Sequence, residues 1–414
     1  MTTLIPLILF AFDPEPASQP SRLHLDVATV DGRSLSCTLR EIDSKKGLIY
    51  DADLENLILP RDEIERISPA TSTPTTPAAS HADRAALPHV LYFRDGGRLH
   101  VSMLSADASA PGRLRVRSTV ADTMSMPLTA LSAIRFAAHP ITAVEQTFLM
   151  RLVEKKRNND LMIVARDDKP IVLPGALESV SSDGWAFRFG QRLQKSPLDA
   201  AYGVVLGGVC PADSPQDELR LVSGDVLKGS IVRADSRNIQ LDNASAGLWS
   251  IPWSAVQSAA LANPRIVYLS ELEPAAVDRR FFVDADWSVE RDKSVTRKPI
   301  RIAGRSYARG IGVHAKTVIR YNLEGRYERF CAEVGIDDEA APRGSVIFRV
   351  RADDRTLFES PVLRGGDKPE MVAVDVTGAG TITLEADVAD GLDIGDHADW
   401  AGARLIRARR SGIH

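Results

Sequence analysis

The sequence predicts a mainly β protein, in which several small β-barrel-like repeats precede a two-sheet β-sandwich and one helix separates the second and third repeats. Three observations lead to this fold class. A strand-like pattern recurs four times between Arg22 and Leu261. A proline stands at the matching place in every copy. From about Ile266 the strands become longer and are separated by turns rich in glycine and aspartate, with no helical periodicity.

The chain begins with the apolar run MTTLIPLILFAF, followed at once by DPEPASQPS. This run is too short to span a bilayer as a mature helix. It is similar to the apolar core of a secretory signal peptide, although no Lys or Arg precedes it and no clear cleavage site follows it. We expect residues 1–20 to be a signal-like segment and the protein to be secreted or in the cell envelope, with no transmembrane anchor after signal removal. An N-terminal strand or a misplaced start codon is the alternative.

Each repeat starts with a strand and a tight turn, continues with alternating apolar residues, and ends with a proline-containing strand followed by a short apolar pair. Period-two alternation is typical of half-buried antiparallel strands. Three copies carry a glycine where a hairpin needs positive φ: Gly32, Gly96 and Gly224. The matching prolines are Pro60, Pro127, Pro197 and Pro252. The predicted repeats are residues 22–68, 89–137, 160–206 and 217–262.

These repeats resemble SH3-like or Sm-like small barrels. We expect them to act as spacers or to bind envelope proteins through exposed sheet edges. Residues 69–88 are rich in Pro, Ala, Thr and Ser, which predicts a mobile linker. Residues 141–159 have apolar side chains at helical spacing, with Lys155, Lys156 and Arg157 placed to suit the C-terminal end of a helix dipole.

Composition excludes several classes of function. The net charge of −4 over 414 residues gives no basic surface for nucleic acid, so no nucleic-acid partner is expected. The three cysteines, Cys37, Cys210 and Cys331, are far apart and form no CxxC or Cys/His cluster. Neither a zinc site nor a disulfide framework is therefore indicated. Cys331 is predicted to be a small core residue.

The last third of the chain carries the most specific motifs. They are VYLSELEP, PIRIAGRSYARGIGVHAKTVIRYNLEGRYERFCAEVGIDDE, GSVIFRVRADDRTLFES and GDHADWAGARL, in this order between residues 266 and 409. In these segments the chain resembles the NPCBM domain, a family of carbohydrate-binding modules related to galactose-recognising domains. The resemblance implies a galactose-binding-like jelly-roll β-sandwich that binds a glycan or polysaccharide, with catalysis residing elsewhere. It does not extend to the first 260 or so residues.

Residue types that suit sugar recognition occur in and near these motifs. Carbohydrate modules stack an aromatic ring on the apolar face of a sugar, while polar groups reach the hydroxyls. The candidates are His314, Asp337, Asp338, Asp396, His397, Trp400 and Trp287. Each has a structural alternative: both tryptophans could pack inward, His314 could bond a neighbouring loop, and the adjacent aspartates could cap a turn.

The aspartates also suit a structural calcium ion, since calcium takes six to eight oxygen ligands. The predicted ligands are Asp337, Asp338 and Asp399, and no other cofactor is required. Among functions, the leading hypothesis is a non-catalytic, exported carbohydrate-binding protein. The second is a structural or protein-interaction scaffold without a functional sugar-binding site. A glycoside hydrolase is a remote third, because adjacent Asp337 and Asp338 in a strand would point to opposite faces and no catalytic motif is found.

Overall fold

The computed structural model describes residues 22–52, 55–70, 87–106, 112–118, 120–121, 123–136, 142–152, 156–166, 169–209, 215–280, 287–390 and 395–409. The predicted signal-like segment, most of the predicted linker and Cys210 lie outside these residues. Within them the protein is built almost entirely of strands, with one α-helix, which confirms the predicted fold class. No helix in this part of the chain is both long and apolar enough to cross a membrane.

Four units of five antiparallel strands make up the region before residue 262. In the first unit the strands are β1 His24–Thr29, β2 Ser34–Asp43, β3 Gly47–Ala52, β4 Glu55–Leu59 and β5 Ile64–Pro69. In the second they are β6 His89–Phe93, β7 Arg98–Ala106, β8 Arg113–Ser118, β9 Met124–Pro127 and β10 Leu131–Arg135.

The third and fourth units follow the helix α1 Thr142–Leu152 and the short strand β11 Lys156–Arg157. The third has β12 Asp160–Arg166, β13 Lys169–Ser181, β14 Gly184–Phe189, β15 Arg192–Ser196 and β16 Gly203–Val205, after which β17 Gly208–Val209 pairs with β11. The fourth has β18 Asp217–Leu221, β19 Val226–Ala234, β20 Asn238–Asn243, β21 Gly247–Pro252 and β22 Val256–Ala260.

Every unit has the same topology. The first four strands pair in chain order, and the fifth strand returns to pair with the first. One turn of 3-10 helix separates the fourth and fifth strands, and the N-cap of that turn is Pro60, Pro127, Pro197 or Pro252. The fixed φ of proline suits this position. The predicted hairpin glycines have φ of 86° at Gly32, 87° at Gly96 and 82° at Gly224, as expected.

The units are not separate domains, because strands at their edges pair with strands of other units. Strand β10 pairs with β16, β22 pairs with β5, and β19 pairs with both β2 and β7. The twenty strands of the four units therefore form one continuous hydrogen-bonded sheet over a shared apolar core. This arrangement fixes the units relative to one another.

The helix is shorter than predicted. It ends at Leu152, and Lys156 and Arg157 form strand β11, so these two charges do not serve a helix C-terminus as expected. Val144 and Phe148 are fully buried and pack with Tyr202, which is how the apolar face of α1 is held against the third unit. The strand pairing of β11 with β17 takes the place of the predicted last turns.

The C-terminal region is a sandwich of two antiparallel sheets. Sheet I has the order β25-β28-β36-β30-β34, with β23 also on β36; sheet II has the order β24-β29-β35-β31-β32, with β33 also on β31. The strands of sheet I are β23 Ile266–Tyr268, β25 Glu290–Arg291, β28 Gly310–His314, β30 Tyr327–Ile336, β34 Glu370–Asp375 and β36 His397–Arg407. Those of sheet II are β24 Ala276–Arg279, β29 Thr317–Asn322, β31 Ser345–Ala352, β32 Arg355–Glu359, β33 Leu363–Arg364 and β35 Thr381–Val388. A separate hairpin consists of β26 Ile300–Ile302 and β27 Arg305–Tyr307.

The outer face of sheet I contacts the first unit. Cys331 and Ile406 are fully buried against Val30, so Cys331 is buried as predicted but lies at this contact and not in the sandwich core. Burial raises the pKa of the Cys331 thiol to about 11. Beside it, Arg404 Nη2 lies 2.9 Å from Glu65 Oε2, and Arg265 Nη1 lies 2.9 Å from Glu63 Oε1. Because these groups are largely buried, the sandwich and the first unit support each other.

Candidate carbohydrate-binding site

Strand register brings the predicted site residues to one end of the sandwich. In sheet I, His314 on β28 lies opposite His397 on β36, and Gly335 on β30 lies opposite Asp399. Asp337 follows directly after β30 and donates its backbone N–H to the carbonyl of His397 at 2.9 Å. Residues 60 or more positions apart in the sequence therefore meet at the same edge.

Three aromatic rings form a cluster at this edge. The indole of Trp287 stacks on the imidazole of His314, with ring centroids 5.2 Å apart and planes 10° from parallel. His397 packs against both rings, at 5.4 Å from Trp287 and 5.8 Å from His314. Trp287 is half-buried, whereas His314 is only 5% exposed beneath it. The cluster thus presents part of one large ring on a buried support.

Glu339 supplies the charge beside the cluster. Its carboxylate accepts hydrogen bonds from Thr296 Oγ1 at 2.6 Å and Ser294 Oγ at 3.0 Å, and Lys298 Nζ lies 3.1 Å away. Burial works to raise the pKa of Glu339, but these hydrogen bonds outweigh burial and the pKa is lowered. Glu339 is therefore ionised at neutral pH. We call Trp287, His314, His397 and Glu339 the aromatic site.

His397 is neutral at physiological pH. Burial lowers its pKa below the usual value, although the nearby charge of Glu339 opposes that shift. Its Nδ1 lies 3.4 Å from Glu339 Oε1. A carboxylate in this position favours the tautomer that carries its proton on Nδ1, which leaves Nε2 free to accept a hydrogen bond from a ligand hydroxyl.

Several predicted contacts are ruled out by burial. Trp400 is 1% exposed and packs edge-on against Phe348 in the sandwich core, with centroids 5.2 Å apart, so it cannot offer its face to a sugar. Asp396 is equally buried and accepts a hydrogen bond from the backbone N–H of Ser345 at 2.7 Å, which secures the start of β31. The prediction that either side chain contacts ligand is wrong, because both serve the fold.

The three predicted calcium ligands do not converge as a set, since Asp337 lies beside Asp399 but Asp338 is held elsewhere. Asp337 is 3% exposed and accepts backbone N–H groups of Arg301 and Glu339, both at 3.0 Å. Asp338 turns the other way and accepts the N–H of Gly304 at 2.9 Å. Among the described residues, no group of three or more His, Cys, Asp and Glu side chains is placed to hold a metal ion. The set of Asp337, Asp338 and Asp399 does not fit calcium here, and a calcium requirement stays a prediction from sequence.

Asp399 is better explained as a neutral acid. Its carboxyl is 1% exposed and lies beside the carboxyl of Asp337. Burial, then a side-chain hydrogen bond with Asp337 and the negative charge of that residue, raise the pKa of Asp399 well above its usual range. A carboxyl group in such surroundings keeps its proton, because a second charge beside Asp337 would be poorly solvated.

This state of Asp399 predicts a pH-dependent stability. In the unfolded chain Asp399 loses its proton near pH 4, whereas in the folded chain, where its pKa is raised, it retains the proton to a higher pH. The free energy of unfolding therefore falls as the pH rises from about 4 toward the folded pKa. Asp399→Asn is a neutral isostere that removes this loss. We expect the variant to melt a few degrees above the native protein at pH 8 and close to it at pH 4, measured by calorimetry. The exposed Asp183→Asn serves as the control, and parallel melting of D399N and native protein across this range would contradict the assignment.

Sequence reasoning overlooked three members of this edge. Glu339 is the third acid of the GIDDE run, in which only the two aspartates before it were predicted to bind a ligand. Thr296 stands in a loop with no motif. Arg343 is exposed, and its positive charge helps to lower the pKa of His397. Of the three, only Glu339 had a signal in the sequence that could have identified it.

Comparison with known proteins finds relatives of the C-terminal domain. Residues 265–406 match the family described as NPCBM/NEW2 domain. The alpha-1,3-galactosidase B of Akkermansia muciniphila is 35% identical over 113 residues, and a Renibacterium salmoninarum protein named as a candidate endo-alpha-N-acetylgalactosaminidase is 32% identical over 108 residues. Each match covers 26% of this chain but only 14% and 7% of the respective relative.

A solved structure gives a similar result. The CBM51 module of a Clostridium perfringens GH95 protein, determined in complex with methyl-galactose, is 30% identical. The match covers 34% of this chain and 99% of that one, with a TM-score of 0.32. The family match alone places a domain of the NPCBM type at residues 265–406, and the preceding repeats are not part of it.

Proposed function

We infer that this protein is a non-catalytic carbohydrate-binding protein whose C-terminal domain recognises galactose-type sugars at the aromatic site. The observation that carries the proposal is the half-buried indole of Trp287, which is held flat on His314 beside the neutral His397 and the ionised Glu339. A rigid aromatic face flanked by a few oriented polar groups is the arrangement that carbohydrate recognition requires.

Galactose-type ligands are supported by the names of two relatives. Both the alpha-1,3-galactosidase and the candidate endo-alpha-N-acetylgalactosaminidase are named for glycosidic bonds of galactose or N-acetylgalactosamine. In our proposal the apolar face of such a sugar lies against Trp287, and a hydroxyl donates to Nε2 of His397. These relatives also support a location outside the cell or in the envelope, where glycans of this kind are found.

The absence of a catalytic role is supported by the state of the carboxyl groups. Asp337 and Asp399 are buried, and Asp338 is held by Gly304, so they do not form the pair of accessible carboxyl groups that flanks a glycosidic bond in a hydrolase. In this proposal the four repeats present the sandwich at a fixed distance and orientation. Their joined edges and their contact with Arg404 and Arg265 suit that role.

A glycan array with the full chain tests the proposal. We expect saturable binding to glycans with terminal galactose or N-acetylgalactosamine, competed by methyl galactoside. A blank array with a folded protein would instead favour a scaffold, whose exposed apolar residues Leu57, Ile58, Leu193 and Leu248 on fourth strands would be the place to seek a partner. Binding that survives in a chain ending at Leu261 would overturn the assignment to the C-terminal domain.

A further inference from the structure

Two arginines flank a threonine on the outer face of sheet II. The register places Thr383 of β35 opposite Arg320 of β29 on one side and opposite Arg351 of β31 on the other. The residues that alternate with them, Ile319, Leu384 and Val350, are buried in the sandwich core. The row Arg320–Thr383–Arg351 therefore lies across three adjacent strands on the face away from the core.

A neighbouring arginine on this face, Arg349, is paired with three acidic side chains. Arg349 lies 2.6 Å from Glu359, 3.1 Å from Glu385 and 3.0 Å from Asp387, and the hydrogen bond with Glu359 raises its pKa. By contrast, Arg320 and Arg351 are exposed and form no side-chain hydrogen bond or ion pair with any described residue. Two like charges stand on either side of one short hydroxyl side chain without a counter-charge of their own.

These residues line an open groove of about 770 Å³, within the size range of ligand sites. Lys316 and Arg280 line it as well. Most acids in its lining are engaged. They are Asp278 with Arg280, Asp353 with the N–H groups of Gly380 and Thr381, and Glu385 and Asp387 with Arg349; Asp354 is the remaining acid. The lining thus holds five acidic and four basic side chains, and Arg320 and Arg351 on either side of Thr383 are the cations whose guanidinium groups have no acid partner among the described residues.

We propose that this groove binds an anionic saccharide, in which a carboxylate or sulfate group lies between Arg320 and Arg351 over the hydroxyl of Thr383. Planar guanidinium groups bind such oxyanions through paired, charge-assisted hydrogen bonds. The negative charge of the ligand follows from the two unpaired arginines, whereas its saccharide nature rests on the proposed function. The groove lies on the face of sheet II and shares no residue with the aromatic site, so it is a second site on the same domain.

Binding of defined polymers to the full chain tests this proposal. The probes are polygalacturonate for a carboxylate, a sulfated galactan for a sulfate, and the same galactan after desulfation as the neutral comparison. The test variant is Arg320→Gln/Arg351→Gln. The control, Arg115→Gln/Arg192→Gln, makes the same change in charge at two exposed arginines of the repeats.

We expect at least one of the two anionic polymers to bind, with affinity that falls as salt is added. The double variant should weaken that binding about tenfold or more, and the control should not. The anionic polymer that binds identifies the group that the groove accepts. Equal binding by test variant and control, or failure of both anionic polymers to bind, overturns the proposal. Binding of methyl galactoside by the double variant reports separately on the aromatic site, so the two proposals can fail independently.

Discussion

Trp287→Ala is expected to weaken binding of galactose-type glycans by roughly thirtyfold while leaving the protein folded. A tryptophan ring that stacks on a ligand buries a large apolar area, and central aromatic anchors typically contribute about 2 kcal/mol or more to binding. The cost to folding is small because Trp287 is half-buried and its main support, His314, stays in place. Isothermal titration with a glycan identified on the array measures the loss, and a thermal melt of the same sample checks the fold.

Trp287→Phe is the matched variant, since it keeps an aromatic face on His314. We expect it to retain most of the affinity. The role of the aromatic site would be contradicted if the alanine variant bound as tightly as the native protein. It would also be contradicted if the alanine and phenylalanine variants lost affinity equally, because the ring face would then not be what the sugar contacts.

The two tryptophans of the C-terminal domain show what sequence patterns cannot predict, namely which of two similar residues is buried in the core. Trp287 and Trp400 both directly follow an Ala-Asp pair, and from sequence either could contact ligand or pack in the core. The register of β36 decides the matter: Trp400 lies between Ile311 and Val334 and faces the core, whereas Trp287 lies in the loop before β25. Alternation within a strand predicts which residues share a face, but not which structure covers that face.

Cys331 shows the same limit, because its burial was predicted but the residue that covers it was not. The alternating RFCAEVGI segment indicated that it is buried, and it is. Its neighbours Phe330 and Ala332 face the sandwich core, while Cys331 is covered by Val30, some 300 positions earlier in the chain. Likewise, the glycines and prolines of the repeats predicted their hairpins and short helical turns, because these depend on local backbone geometry. The joining of β10 with β16 and of β22 with β5 depends on contacts between units, which no local pattern encodes.

The candidate site was predicted only in part, because residue types can be read from the sequence but their surroundings cannot. His314 and His397 were identified from their residue types near glycine and aspartate turns, and the register brings them together. The distinction among the carboxyl groups could not be made from sequence, since Asp337, Asp338, Asp396 and Asp399 differ only in what surrounds them. Burial and backbone N–H groups make three of them structural, while Glu339, the acid least considered, faces the aromatic rings.

Trp400→Ala is expected to destabilise the C-terminal sandwich by about 3–5 kcal/mol, the usual cost of removing a fully buried tryptophan. The side chain is 1% exposed and packs against Phe348 and Phe330, which come from both sheets, so its removal leaves a cavity between them. That loss is a large share of the stability of a typical domain. Chemical denaturation followed by circular dichroism measures it.

Trp400→Phe separates this structural role from ligand contact. Phenylalanine fills much of the same space, so we expect a smaller destabilisation and an affinity for glycan close to that of the native protein. A direct role in binding would give the opposite result, with stability retained and affinity lost. Because Trp400 and Trp287 lie in the same domain, the two pairs of variants together assign one ring to the core and the other to the sugar: W400A should change stability first, and W287A should change affinity alone.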